Sequence, residues 1–187
     1  SHALANVLGL QYQRIQFTSD MLPADIVGGS IYQKDEKTQQ AGFVFHPGPV
    51  FSQVVLADEI TRATPKTQSA LLEAMEERQV SIDGKTHVLP QPFFVIATQN
   101  PISQSGTFTL PESQLDRFLM RIELGYPNAK AERALLEGKS NKAMNLPVLM
   151  NESQLSAYQQ KVASITASAS LIYYVQVRQI FLLYCEC

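Results

Sequence analysis

Two adjacent carboxylates, Asp58 and Glu59, directly follow the apolar run at residues 54–57. A short continuous apolar run is typical of a buried strand. Open α/β sheets bind their ligands at the carboxyl ends of such strands. One carboxylate at that position can hold Mg²⁺ on a phosphate, while its neighbour orients or deprotonates a water molecule. A strand that simply ends in two solvated acids has the same pattern, so the pair alone leaves both interpretations open.

A second apolar run, at residues 93–98, is followed by Asn100. If the two runs form neighbouring parallel strands, Asn100 reaches the same sheet edge as Asp58 and Glu59. A neutral amide at this edge can hydrogen-bond a γ-phosphate or an attacking water without competing for Mg²⁺. The alternative is that Asn100 and Pro101 are only a turn signal.

Arg117 ends a short predicted helical segment. A guanidinium can stabilise the charge that develops on a transferring phosphoryl group, often in a neighbouring subunit. The alternative is a structural ion pair with Asp116 or Glu112, which is the commoner role of a single arginine.

The elements that must position these residues alternate between strand and helix. Thr64 and Pro65 predict a helix start, because Thr is a good N-cap and Pro suits the first helical position. Asp83 and Gly84 predict a hairpin turn. Residues 28–52 are rich in Gly, Pro and Gln and predict a loop or an irregular hairpin. Further strands are predicted at 12–17 and 120–124, and further helices at 1–9, 129–139 and 152–165. This order predicts a mainly parallel, buried sheet with helices on its faces.

Composition narrows the function classes. The chain has 187 residues, of which 45% are hydrophobic and 17% charged, so it can build a core. Its formal net charge of −2 argues against a general nucleic-acid footprint. Both cysteines, Cys185 and Cys187, lie in the last three residues, and the three histidines are scattered, which excludes a disulfide framework and a zinc spacing.

The chain shows no secretion or membrane signal. Its first residues lack a basic region. The apolar segment 171–184 is interrupted by polar residues and is shorter than the ~20 residues that span a bilayer. We therefore expect a cytoplasmic location and no membrane span.

Four segments, in this order, resemble the MoxR group of AAA+ ATPases. They are Gln-Val-Val-Leu-Ala-Asp-Glu-Ile at 53–60, Pro-Lys-Thr-Gln-Ser-Ala-Leu-Leu-Glu-Ala-Met at 65–75, Phe-Val-Ile-Ala-Thr-Gln-Asn-Pro at 94–101 and Leu-Pro-Glu-Ser-Gln-Leu-Asp-Arg-Phe at 110–118. The resemblance implies a three-layer α/β/α P-loop NTPase core with the start of an α-helical lid. Residues 1–127 would then belong to the core and 128–187 to the lid, with an atypical end from about 177.

The same resemblance assigns roles to the candidate residues. Asp58 would be the Walker B acid that binds Mg²⁺, and Glu59 the catalytic base. Asn100 matches sensor 1, which is both catalytic and nucleotide-binding. Arg117 matches the arginine finger that acts on the next subunit's nucleotide. The implied cofactors are ATP and Mg²⁺.

The resemblance also implies partners. These are a homo-oligomeric ring, expected to be a hexamer, and a client protein, with a von Willebrand factor A-type domain as a candidate. The expected role is chaperone-like, in client maturation or metal-cofactor insertion. Residues 28–52 and the hairpin at Asp83 and Gly84 are similar to family insertions that contact partners. No nucleic acid is expected.

The sequence departs from the family in three places. The Gly-rich Walker A loop is expected just before residue 1, and the sensor 2 arginine is not found, so we interpret the chain as a fragment cut at both ends. Thr61 stands where the family usually has Asn. We therefore expect this chain alone to hydrolyse ATP weakly or not at all.

Three alternatives remain at this point. A magnesium-chelatase-type AAA+ subunit shares the Leu-Asp-Arg-Phe element. A non-catalytic interaction module would use the sheet as a scaffold for partner-binding hairpins. A metal-dependent hydrolase that uses only Asp58 and Glu59 is the weakest alternative, because no further ligand is predicted to converge with them.

Overall fold

The computed structural model describes residues 1–34, 41–100, 106–138 and 146–185, with side chains described as far as residue 177. The chain divides into two compact units, Ser1–Asn151 and Glu152–Cys187. The first unit contains, in chain order, α1 (His2–Val7), β1 (Tyr12–Gln16), α2 (Pro23–Val27), β2 (Gly28–Lys34), β3 (Ala41–Pro47), β4 (Val54–Asp58), a 3₁₀ turn (Ile60–Arg62), α3 (Pro65–Glu77), β5 (Gln79–Ile82), β6 (Lys85–Val88), β7 (Phe94–Ala97), α4 (Glu112–Leu115) and α5 (Ala129–Leu136). The second unit contains α6 (Glu152–Ala163) and α7 (Ala169–Cys185).

A parallel three-stranded sheet, in the order β1-β4-β7, is the centre of the first unit. Central strand β4 has Gln16 beside Asp58 on one side and Ala97 beside Ala57 on the other. Most of β4 is buried, as its apolar run predicts. The predicted α/β class with a mainly parallel sheet is therefore confirmed.

Helix α3 buries one face in the core beside this sheet. Its buried residues include Leu71 and Leu72, while its acidic residues Glu73, Glu76 and Glu77 are exposed. Thr64 caps the helix by accepting a hydrogen bond from the backbone N–H of Thr67. The predicted start of this helix is therefore confirmed, and its sequence is amphipathic, with one buried and one exposed face.

Two antiparallel hairpins extend from the first unit. In the β5–β6 hairpin, Asp83 (φ 50°) and Gly84 (φ 73°) both have positive φ, as the Asp-Gly turn predicts. The region predicted as a loop or an irregular hairpin contains a regular one, in which β2 pairs with β3 from Gly28↔Pro47 to Lys34↔Ala41. At its base the chain is tightly packed, because a Cβ at Gly28 would lie 2.2 Å from the His46 carbonyl oxygen.

The predicted strand at residues 120–124 is wrong. These residues are described without strand structure, and Met120, Ile122 and Leu124 are 67%, 70% and 93% exposed. Alternating apolar residues form a strand only when a neighbouring strand accepts their backbone hydrogen bonds. No strand in the described part of the chain pairs with them.

Strand β7 is less buried than its apolar sequence predicts. Phe94 is 46% exposed, and the following three residues are only partly buried. β4 pairs with one edge of β7, and within the described ranges no strand pairs with the other edge.

The described residues also contain no helix with the length and apolar character that a membrane crossing requires.

Candidate functional site

Asp58 lies at the carboxyl end of β4 and accepts hydrogen bonds from both neighbouring strands. The Thr98 hydroxyl, just after β7, donates to Oδ1 over 2.5 Å. Arg14 on β1 donates to Oδ2 from both Nε (3.1 Å) and Nη2 (2.5 Å). The Thr98 hydrogen bond first, and then the Arg14 guanidinium, hold the pKa of Asp58 below its ordinary value. Asp58 is therefore a carboxylate at neutral pH.

Glu59 adopts a left-handed backbone conformation, with φ 55° and ψ 48°. This conformation is costly for a residue with a side chain and is often found at functional sites. Its N–H donates to the Thr98 hydroxyl oxygen over 2.9 Å. Its Oε2 accepts hydrogen bonds from Gln16 Nε2 (3.2 Å) and from Arg62 Nη1 (3.1 Å). The Thr98 hydroxyl therefore contacts both acids: it bonds the side chain of Asp58 and the backbone N–H of Glu59.

Gln16 connects the partners of the two acids. Its Oε1 accepts a hydrogen bond from Arg14 Nη2 over 2.7 Å, and its Nε2 donates to Glu59. The Arg14 contact fixes the orientation of the amide, because only its oxygen can accept from a guanidinium. A continuous set of hydrogen bonds therefore joins Asp58, Arg14, Gln16 and Glu59.

Asn100 follows β7 by three residues and is exposed. It thus lies beyond the carboxyl end of a strand that neighbours β4, as predicted. Pro101, with which it would form a turn signal, is outside the described residues. Thr98 is the residue after β7 that contacts Asp58 directly.

Arg117 follows α4 and bonds to α3. Its Nη1 lies 2.7 Å from Glu76 Oε2 and donates to the Leu72 carbonyl oxygen over 3.1 Å. Arg117 and Glu76 border a surface cleft of about 410 Å³, which Met75, Ser113 and Asp116 also line. Arg117 is thus part of an ion pair, but with Glu76 and not with the two acids that the sequence suggested.

Comparison with known proteins shows which family this chain belongs to. A model of the family described as "ATPase family associated with various cellular activities (AAA)" matches residues 1–120. The chain belongs to this AAA family. Chaperone MoxR1 from Mycobacterium tuberculosis is 42% identical over 177 residues, which are 95% of this chain and 46% of MoxR1. YeaC from Bacillus subtilis, an uncharacterised protein, is 46% identical over 175 residues, which are 92% of this chain and 53% of YeaC.

A solved structure supports the same assignment for the fold. The crystal structure of a candidate ATPase from Cytophaga hutchinsonii is 38% identical to this chain, with a TM-score of 0.78. The match covers 93% of this chain and 52% of that one. The predicted MoxR-type AAA+ membership and AAA+ fold are thus confirmed. The chain spans about half the length of these relatives.

In this AAA+ chain, sequence reasoning missed Arg14, Gln16 and Thr98 as site residues. A signal was present, because Arg14 and Gln16 are two residues apart on a strand and therefore point to the same face. Thr98 is the polar residue that ends the second apolar run. Gln68, on α3, is a further polar residue that sequence reasoning missed. It is 1% exposed, and its amide donates to the carbonyl oxygens of Ile60 and Phe108.

The donor set of this AAA+ site fits magnesium in one particular way. Mg²⁺ is usually held by one or two carboxylates together with waters and substrate phosphates, not by a cage made of protein alone. Asp58 supplies one carboxylate, beside the Thr98 hydroxyl, and the adjacent Glu59 supplies a second, beside Gln16 and Arg62. Within the described residues, no group of three or more His, Cys, Asp and Glu side chains could hold a metal. The two carboxylates therefore fit a cation whose other ligands are waters and substrate phosphates.

Proposed function

We propose that this chain carries part of a Mg²⁺-dependent ATP hydrolysis centre. The observation that supports it most is the pair of acids at the end of the central strand. The Thr98 hydroxyl, on the neighbouring strand's end, bonds the carboxylate of Asp58 and the backbone N–H of Glu59. Asp58 is the magnesium ligand, since it is ionised at neutral pH and lies at the carboxyl end of the central strand. Mg²⁺ bound there supplies charge neutralisation for the nucleotide phosphates.

Glu59 is the proposed general base. Its carboxylate is partly exposed, and the left-handed backbone directs the chain out of β4 immediately after Asp58. The two residues thus act on different parts of the reaction, although they are adjacent. Asn100, beyond the next strand, is proposed to hydrogen-bond the γ-phosphate or the attacking water.

Arg117 is proposed to act on the nucleotide of a neighbouring subunit in a homo-oligomeric ring, expected to be a hexamer. Its hydrogen-bond partners on its own chain are on α3, so it is outside the Asp58 network. An arginine finger must contact a phosphate, which means that the Glu76 ion pair has to be exchanged for the neighbour's nucleotide.

The cellular role that we propose is chaperone-like, with hydrolysis coupled to the maturation of a client protein or the insertion of its metal cofactor. The relative MoxR1 is named a chaperone. A client with a von Willebrand factor A-type domain and a cytoplasmic location are part of this proposal, as is the division into core (1–127) and lid (128–187).

A non-catalytic interaction module is the second candidate. Its support is the β2–β3 hairpin, on which Tyr32 and Phe43 are paired edge to face and are 63% and 73% exposed. Large exposed aromatic side chains are frequent in protein–protein contacts. Such a module needs no divalent cation at Asp58, which gives the two candidates different outcomes in the same assay.

The discriminating experiment measures binding of Mn²⁺, as a magnetic substitute for Mg²⁺, to the chain in the presence of ATP by electron paramagnetic resonance. The proposed function predicts that Asp58→Asn loses this binding and that Glu59→Gln retains it, because Glu59 serves the water. Equal binding by wild type and Asp58→Asn would contradict the magnesium assignment and favour the interaction module.

A phosphate-release assay tests the expected activity. We expect little or no turnover from this chain by itself. Turnover typical of AAA+ enzymes, abolished by Glu59→Gln, would show that the expectation of weak activity is wrong while supporting the role of Glu59.

A further inference from the structure

Arg14 forms an ion pair with Asp58, the carboxylate that the proposed function assigns to magnesium. Its Nε and Nη2 atoms both donate to Asp58 Oδ2, at 3.1 and 2.5 Å. The other oxygen, Oδ1, accepts from Thr98. Both oxygens of Asp58 are therefore engaged by protein donors, and one of them by a full positive charge.

A guanidinium and a divalent cation compete for such an oxygen. Mg²⁺ binds a carboxylate oxygen at about 2.0–2.1 Å and requires nearly ideal octahedral geometry. A guanidinium nitrogen 2.5 Å from Oδ2 occupies the space and the lone pairs that the cation and its waters need. The two positive charges also repel each other at this distance.

We propose that Arg14 is the resident counter-ion of Asp58 and that a divalent cation binds there only by displacing it. This rests on the proposed function, since it takes Asp58 as the cation ligand. The Arg14 side chain is 57% exposed, so it has room to move into solvent when the cation arrives. Arg14 thus acts on the site through Asp58 and is a positioning residue.

Displacement of Arg14 also affects Glu59, the second acid of the site. The same Nη2 that contacts Asp58 also donates to Gln16 Oε1, and the Gln16 amide donates to Glu59. When Arg14 leaves, Gln16 loses the donor that fixes its orientation. Cation binding at Asp58 therefore releases one of the two side chains that hold the Glu59 carboxylate.

The matched control for Arg14 is Arg62. It carries the same charge and pairs with the adjacent carboxylate, with Nη1 3.1 Å from Glu59 Oε2. Its side chain is 52% exposed, close to the exposure of Arg14. A general effect of charge on cation binding would appear in both variants, whereas competition for Asp58 would appear in one.

The experiment titrates the 187-residue chain with Mn²⁺ alone, and electron paramagnetic resonance measures the free ion. We expect Arg14→Gln to bind Mn²⁺ about fivefold more tightly than wild type, the upper range for losing an exposed ion pair. Arg14→Lys keeps the positive charge but cannot donate from two nitrogens as Arg14 does. We expect its affinity for Mn²⁺ to lie between those of wild type and Arg14→Gln. Arg62→Gln is expected to change the affinity by less than about twofold. A gain in affinity is not produced by damage to the fold.

A second readout follows the coupling to Glu59. Titration with Mg²⁺ should shift the side-chain amide resonances of Gln16 in wild type but not in Asp58→Asn. Unchanged Gln16 resonances in wild type at saturating Mg²⁺ would overturn the coupling.

The outcomes separate this inference from the proposed function. If Asp58→Asn loses Mn²⁺ binding while Arg14→Gln binds no more tightly than wild type, the counter-ion role is wrong and the magnesium assignment stands. An equal gain in Arg14→Gln and Arg62→Gln also overturns the role, because the effect is then general. If Asp58→Asn binds as wild type does, both the inference and the assignment are wrong.

Discussion

Replacing Thr98 with Val should lower the free energy of unfolding by about 2 kcal/mol at neutral pH, the sum of two lost hydrogen bonds. The bond from the Glu59 N–H is neutral and contributes about 1 kcal/mol. The bond to Asp58 is charge-assisted, but the Asp58 side chain is 23% exposed, so we take about 1 kcal/mol, below the usual range. Val matches the shape of Thr, so no cavity adds to the loss.

The deficit of Thr98→Val should depend on pH. Thr98 is the largest cause of the lowered pKa of Asp58, so the variant raises that pKa towards its ordinary value. A carboxylate with a lowered pKa in the folded state stabilises the protein above its unfolded pKa of about 3.9, and this stabilisation is lost as the pH falls through the folded pKa. The deficit of the variant should therefore shrink in acid.

Urea unfolding followed by circular dichroism, at neutral pH and at several acid pH values, measures both effects. Thr98→Ser is the control, because it keeps the hydroxyl and should retain most of the stability. Equal stability of Thr98→Val and Thr98→Ser at neutral pH, or a deficit of Thr98→Val that grows as the pH falls, would refute this role of Thr98.

Three further substitutions test other parts of the site. Gln68→Leu should cost about 1–2 kcal/mol in urea unfolding, because the Phe108 carbonyl oxygen loses its Gln68 donor and the Ile60 carbonyl oxygen keeps only the Ala63 N–H; an unchanged midpoint would contradict this. Glu59→Gly should keep or raise the unfolding free energy, because the left-handed conformation costs a side-chain-bearing residue about 1–2 kcal/mol; a clear loss would show that its exposed hydrogen bonds contribute more. Glu76→Gln should change stability by less than about 1 kcal/mol and increase the mobility of Arg117 in side-chain NMR relaxation; an immobile Arg117 would show that Leu72 alone holds it.

Local signals account for what the sequence predicted correctly. The apolar run before Asp58 is a strand, Thr64 begins a helix, and Asp83 with Gly84 forms a turn. Each of these depends on residues that are neighbours along the chain. The two acids that follow this strand are also visible locally, but their functional interpretation came from the resemblance carried by the four segments.

Non-local contacts account for what the sequence missed. Arg14 and Asp58 are 44 residues apart, and their contact depends on the parallel pairing of two strands. The strand predicted at 120–124 failed because strand structure requires a neighbour, which no local pattern supplies. The left-handed backbone of Glu59 is also hidden, since glutamate has no preference for it.

Mapping the position of bound Mn²⁺ on the chain tests the central claim most directly. Mn²⁺ broadens the NMR signals of backbone amides close to it, so their loss locates the ion. We expect the amide signals of Glu59 and Thr98 to be broadened in wild type and to be restored in Asp58→Asn. Broadening centred on the exposed acids of α3, Glu73 and Glu77, and unchanged by Asp58→Asn, would contradict it.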